Sequence, residues 1–467
     1  MTEPQTKVHP YMPNTLPETK RKMLEFLEVD SVEDLYSHII PSSLRFSGRL
    51  DLPEAIESES DLKRHVELLM SKNTSTAEVI SFLGAGCYQH YVPAVCDEIN
   101  SRSEFLTAYC GETYSDHGKM QAIFEYCSMM AELVDLDVVS YTLYDGGQAA
   151  CSSMRMALRA TERREIILPK SMNPEILSQA KDYLQHVADL KYVGYDSLSG
   201  QIDLDELRGL ISLNTAAVYL EMPSFLGAVE QQIAEISALA HSFGALLVVS
   251  VDPSSLGIFE SPANLGADIV CGDIQSLGMH MHYGGGCAGF IATRQERKMV
   301  SQYPTYLYGI TTTKTPGEYG WGRALNERTS HGSREHAHEY FGTEAGLWAI
   351  TAGVYLALMG PNGMKELGET IIYRTLYARK TLNTIAGVKL RFPNSLSFKE
   401  FVLDFSDSQK SVGEINSELL NRGIFGGKDL SADFQELNNC ALYCITEMIS
   451  ADDIDRLKGA LQEIVAS

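Results

Sequence analysis

Between residues 165 and 292, short uninterrupted apolar runs alternate with helical stretches, and this alternation restricts the fold more than any other feature of the chain. The runs stand at 165–168 (EIIL, followed by Pro169), 215–221 (TAAVYLE), 245–252 (ALLVVSVD), 268–271 (DIVC) and 289–292 (GFIA). A strand with one wet face alternates polar and apolar residues. These runs do not, so both faces must be covered. Helical stretches such as 233–243 separate them, and strands joined through helices pair in parallel. The expected fold class is therefore α/β, a mainly parallel sheet with helices on both faces.

The flanking segments read differently. Residues 1–75 form a helical N-terminal arm. Pro17 leads into a stretch carrying Met23, Leu24, Phe26 and Leu27, and Ser31 is placed to cap the next helix. Such an arm wraps a neighbouring subunit or packs on the main domain. The large domain is expected over 76–345, and a small C-terminal α/β domain over 346–467. In the latter, one helix runs from Glu344 to a stop at Gly360-Pro361-Asn362-Gly363, and a second runs on to about Ile385. Strands are expected near 400–405 and 441–446, a helix at 412–422, and a last helix from Ser450.

Charge and cysteine usage narrow the function classes. With 61 acidic against 38 basic residues, the net charge is −23, which repels phosphate backbones and anionic membrane surfaces. Neither a nucleic-acid nor a membrane partner is expected. Residues 1–22 are polar and lack the apolar core of a secretory leader. The nine cysteines are scattered without a CxxC pair, and Cys127, Cys271 and Cys444 sit in apolar company. They read as reduced thiols of a cytoplasmic protein.

Three segments carry candidate chemistry. Asp145-Gly146-Gly147-Gln148 follows the apolar run 138–143 and opens a helix. Free N–H groups at such a turn make a phosphate cradle, and a tight turn that binds nothing has the same local sequence. Asp252 ends the run ALLVVSVD, where open α/β sheets bind ligands. It suits a partner for a protonated pyridine nitrogen, or equally an N-cap for Pro253-Ser254-Ser255. The third segment is Gly272-Asp273-Ile274-Gln275-Ser276-Leu277-Gly278, followed by Gly284-Gly285-Gly286. In pyridoxal-phosphate (PLP) enzymes of the aminotransferase scaffold, the lysine that attaches the cofactor stands at this distance from the aspartate. From Asp252 to Ile291 there is no lysine, so covalent attachment of PLP in this segment is excluded.

Taken together, these segments resemble the glycine cleavage system P-protein, and within it the α chain (subunit 1) of the split form. The resemblance rests on residues 11–15 (YMPNT), Ile40-Pro41, 82–95 (FLGAGCYQHYVPAV), 103–109 (SEFLTAY), 118–126 (GKMQAIFEY) and 355–360 (YLALMG). It implies the fold-type-I PLP-dependent transferase (aminotransferase-like) scaffold. It implies further that PLP is held by a lysine-bearing β-type partner chain and none is covalently bound here, Ser276 falling about where the β lysine stands. The implied reaction is glycine decarboxylation with transfer of the aminomethyl group to a lipoyl carrier of the H-protein type. Asp145, Gly146, Gly147, Gln148 and Asp252 are then a relic cofactor site or an anion site.

Two loops depart from the family pattern. Where relatives carry T-P-Y-Q-P-E, this chain has 110–116 (CGETYSD), which puts Cys110, Glu112 and Tyr114 near the site. Where relatives read R-E-K-A-T-S-N-I-C-T-N, it has 332–343 (GSREHAHEYFGT), with His336 and His338. His282 is a further candidate at the partner's site. The pairs His280/His282 and His336/His338 have the form of divalent-metal ligands, although loop histidines more often make ordinary hydrogen bonds, and no metal is expected. Changed loops on a retained scaffold describe a paralogue that acts with a β-type partner on another amino acid or amine. A non-catalytic scaffolding or regulatory pseudo-enzyme is the remaining alternative.

Overall fold

The computed structural model of the chain describes residues 8–9, 11–37, 39–46, 48, 50–106, 117–342 and 344–466. It divides into two compact units, Met1–Asn73 and Thr74–Ser467. The first holds helices Pro17–Phe26, Val32–Ser37 and Glu59–Met70. None of its described residues is buried, so it has no core of its own.

The second unit begins with β1 (Ile80–Ser81) and is built around a seven-stranded sheet. In chain order its strands are β2 (Val138–Val139), β3 (Glu165–Pro169), β4 (Asp189–Val193), β5 (Thr215–Met222), β6 (Leu246–Val251), β7 (Ile269–Asp273) and β8 (Gly289–Thr293), arranged β2-β8-β7-β6-β5-β3-β4. The pairs among β3 to β7 are parallel, whereas β8 runs against both β7 and β2. The reason is the connection. A parallel return needs a crossover of a dozen or more residues, usually helical, and residues 274–288 contain no α-helix.

Alternate side chains of β5 serve two cores. Val218 and Leu220 join one face with Ile123 and Tyr126 of helix His117–Val134 and Tyr355 of helix Gly346–Leu382. Ala217 and Tyr219 join the other with Met154 and Ala157 of helix Gly146–Thr161 and Leu184 of helix Pro174–Leu184. Covering on both sides is why β5 reads as an unbroken apolar run.

A hairpin of β9 (Leu307–Thr312) and β10 (Tyr319–Ala324) follows. The long helix Gly346–Leu382 consists of two helical segments meeting at Gly360, whose φ of 57° no helix accommodates. Pro361 starts the second segment, where the missing N–H costs nothing. Beyond it, β11 (Lys389–Leu390), β12 (Glu400–Asp404), β13 (Ile424–Phe425), β14 (Lys428–Asp429) and β15 (Cys440–Cys444) appear in order. Four of them form an antiparallel sheet, β11-β12-β15-β14, and β13 pairs with β1. Helices Val412–Leu420 and Ala451–Ala466 pack on this region through Ile415, Leu419, Leu457 and Leu461. No described helix is long and apolar enough to cross a membrane.

Candidate functional site

The carboxyl ends of β5, β6 and β7 open into a cavity of about 610 Å³, closed on the far side by the start of β12 and the loop after β1. This is where an open α/β sheet offers strand ends, helix N-termini and loops together. Ser276, Asp145, Gly146, Gly147 and Asp252 all line it. Gln148 does not; its side chain accepts from Tyr144 N at 3.0 Å.

Asp252 is fully engaged. Its Oδ1 accepts from Ser254 N (3.0 Å), Ser254 Oγ (2.8 Å) and Ser276 Oγ (3.1 Å). Its Oδ2 is ion-paired to the ammonium of Lys399, a side chain that sequence reasoning did not single out. Lys399 is 1% exposed and sits just before β12 with φ of +65°. Its Nζ also lies 2.9 Å from His90 Nε2 and 4.1 Å from the centre of the Tyr88 ring. A charged ammonium only donates, so Nε2 accepts and Nδ1–H of His90 donates to Glu447 Oε2 at 2.7 Å. One chain, Asp252–Lys399–His90–Glu447, results, with Lys399 and His90 buried and the two carboxylates partly exposed at its ends. Burial acts upward on Asp252, but the Lys399 ammonium holds its carboxyl below the usual range. Burial acts upward on Glu447 as well, and the His90 contact outweighs it.

The helix N-terminus is likewise engaged. Asp145 caps it, accepting from Gln148 N at 2.6 Å. The Gly146 N–H donates to Asp273 Oδ2 at 2.8 Å, and Asp273 Oδ1 accepts from Gln275 N (2.8 Å) and Ala288 N (3.2 Å). The anion on the turn is thus the chain's own carboxylate. Gln179 crowds the same turn, since a Cβ on Gly147 would lie 2.5 Å from its Oε1.

Three carboxyls of the cavity are pushed up to about 7 by burial: Glu221, Asp273 and Glu400. Backbone N–H groups hold each of them, Asn173 and Phe225 on Glu221 and Ala85 on Glu400. Unfolded, they titrate near ordinary values, so between about pH 4.5 and about 7 the folded chain binds the extra protons. Their contribution to stability is full on the acid side and is lost as pH rises through about 7. Asp252 and Glu447 work oppositely, and their contribution is lost on acidification below the usual carboxylate range. Unfolding free energy is therefore expected to fall between about pH 6 and about pH 8, by about 1 kcal/mol for each of the three groups. Denaturant titration at the two pH values checks this; a flat or rising profile contradicts it.

The other residues singled out from sequence lie elsewhere. His282 stacks on Trp348, ring centres 5.3 Å apart, and His280 contacts Asp97 at 3.0 Å. His336 is exposed beside Glu335, and at His338, also exposed, partial desolvation with Arg159 and Arg155 lowers the pKa. None of these histidines lines the cavity. Among the described residues, no three His, Cys, Asp or Glu side chains group to hold a metal ion. Cys110, Glu112 and Tyr114 lie outside the described residues. In the second altered loop, Glu339 binds Arg155 Nε (3.1 Å) and Tyr183 Oη (2.8 Å), anchoring the loop to the outer helices. Tyr303, Tyr306 and Tyr308 are buried.

A family model described as glycine cleavage system P-protein matches residues 9–461. The chain belongs to the glycine cleavage system P-protein family. Curated relatives named probable glycine dehydrogenase (decarboxylating) subunit 1 include one from Staphylothermus marinus, 37% identical over 98% of this chain and 98% of its own. Another, from Brevibacillus brevis, is 36% identical over 97% and 98%. A crystal structure of glycine decarboxylase (P-protein) of the glycine cleavage system in inhibitor-bound form superposes with a TM-score of 0.84 at 31% identity. It covers 98% of this chain and 100% of that one. A sphingosine-1-phosphate lyase from Burkholderia pseudomallei, 17% identical with a TM-score of 0.64 over 92% and 95% of the two chains, shares the fold. The fold of this P-protein-family chain is thus the fold-type-I, PLP-dependent transferase scaffold.

The cavity's own residues do not fit PLP. Ser276 offers no amine, both oxygens of Asp252 are taken, and the Gly146 N–H at the helix N-terminus is already held by the Asp273 carboxyl. Lys399 occupies Asp252 Oδ2, and Asp273 occupies the Gly146 N–H.

Proposed function

We propose that this chain is the α-type subunit of a two-chain glycine decarboxylase, whose lysine-bearing β-type partner carries PLP and which passes the aminomethyl group to a lipoyl carrier. PLP supplies an electron sink when the carboxyl group leaves. The observation that carries the reading is the Lys399–Asp252 pair, which gives this chain's cavity a protein cation in place of a cofactor. Its residues accordingly shape and stabilise one half of an assembly, in the cytoplasm, and handle no substrate atom themselves.

Co-expression with a β-type chain tests the proposal. The expected result is a yellow complex that exchanges the carboxyl carbon of glycine with bicarbonate when a lipoyl carrier is present, while neither chain does so alone. Failure of the chains to associate, or a complex that releases carbon dioxide from another amino acid and not from glycine, contradicts it.

A further inference from the structure

We propose that residues 334–342 are a strap latched by Glu339, and that unlatching opens the mouth of the cavity through the contact of Phe341 with Tyr144. After β10 the chain runs through short turns, at Asn326–Arg328, Ser330–Ser333 and Arg334–His336. Among the described residues, a single backbone-to-backbone hydrogen bond leaves the 326–342 stretch, from Phe341 N to Pro304 O at 2.8 Å. A segment with so few backbone bonds to its surroundings opens locally at low cost unless side chains fasten it.

Side chains fasten the two halves separately. Arg328 donates to Tyr303 O and Thr305 O and holds the first half. Arg334 then turns the chain with φ of +53°, which side chains rarely adopt. In the second half Tyr340 sets its ring against Tyr306 and His331, and Glu339, 8% exposed, reaches two outer helices. It meets Arg155 Nε at 3.1 Å and Arg159 Nη2 at 3.7 Å, and accepts from Tyr183 Oη at 2.8 Å. The socket for this carboxylate is held by other partners. Arg155 lies over the Tyr183 ring, 5.0 Å from its centre, and Arg159 donates to Gln302 Oε1 (2.9 Å) and O (2.8 Å). Two guanidiniums therefore wait in place for one carboxylate, which makes the contact reversible without repacking the helices. Glu339 Oε1 makes no hydrogen bond, so the latch is incomplete even when closed. Two residues on, the Phe341 ring meets Tyr144 edge to face, centres 6.1 Å apart, and Tyr144 lines the cavity directly before the Asp145 cap. Withdrawal of Glu339 carries Phe341 off Tyr144 and widens the entry. This inference uses the loop and the cavity alone and is independent of the reaction assigned to the assembly.

Hydrogen exchange of the full chain tests the latch, comparing the parent with Glu339→Gln, which keeps the shape and removes the charge that the arginines hold. Amides of 335–342 are expected to exchange about tenfold faster, while those of β5 and β6 keep the parent rate. Thiol labelling tests the mouth, because Cys87 and Cys287 line the cavity and are half-buried. A bulky maleimide is expected to label them about tenfold faster in both Glu339→Gln and Phe341→Ala, with the rate for small iodoacetamide unchanged. Phe341→Ala keeps the parent exchange rate at 335–339, since its latch is intact. Where Glu339→Gln does not fold, Arg155→Met, which removes one arm of the latch, decides on the same readings. Unchanged exchange at 335–342, exchange raised equally in β5 and β6, or maleimide labelling unchanged in both variants overturns the proposal.

Discussion

Replacing Lys399 with methionine is expected to destabilise the folded chain by about 3 to 5 kcal/mol. Methionine has a similar length and leaves little void, so the loss comes from charge. Asp252 keeps its three donors from Ser254 and Ser276 but loses the ammonium that offsets its burial. His90 Nε2 loses its donor at the same time. An unpaired buried carboxylate costs far more than a pair contributes, because desolvation is no longer opposed. Removing both charges in Lys399→Met/Asp252→Asn is expected to recover part of the loss, with a coupling of about 2 kcal/mol in the double-mutant cycle. Urea unfolding of the four proteins measures it. A cost under about 1 kcal/mol for Lys399→Met would mean that water reaches Asp252 and the pair is not buried.

The second large effect is expected at Gly227, where alanine should cost about 2 to 5 kcal/mol. Gly227 has φ of +85°, a region that side chains adopt only with strain. A Cβ there would lie 2.0 Å from Glu400 O and 2.4 Å from Glu400 C, backbone atoms that cannot rotate away. Overpacking of this kind displaces the chain it meets. That chain is the 398–400 segment, which donates from Phe398 N to Gly227 O and carries both Lys399 and Glu400 into the cavity. Gly227→Ala should therefore lower stability and also weaken the pH dependence assigned to Glu400. Unfolding at about pH 6 and about pH 8 reads both; a variant as stable as the parent contradicts the close approach.

These cases show what sequence made legible. The strands of the large sheet announce themselves because burial on both faces leaves apolar runs such as Ala216–Leu220 without polar interruptions. The β9–β10 hairpin did not, since it is rich in Gly and Thr and little of it is fully buried. Asp252 and the Asp145 turn were visible because they terminate or start an element, and both line the cavity. Lys399 was invisible for the opposite reason. Its partner is brought to it only by tertiary folding, across the boundary between the large sheet and β12, and no periodic pattern encodes that. The one local signal was a single lysine inside the run Leu396-Ser397-Phe398-Lys399-Glu400-Phe401-Val402-Leu403, where a solvated lysine has no place. Asp273 is likewise marked in the sequence only by its neighbouring glycine, Gly272. Its capture of the Gly146 N–H follows from the packing of β7 beside the helix N-terminus.

In the function proposed here, Lys399 and Asp273 occupy the groups that would otherwise meet a cofactor, and PLP is left to a partner. Borohydride reduction of the co-expressed complex, followed by peptide mapping, tests it most directly, because reduction fixes PLP to whichever lysine holds it. The expected result is a phosphopyridoxyl group on one lysine of the partner and none on this chain, with Lys399 recovered unmodified. A phosphopyridoxyl group on Lys399 would contradict it.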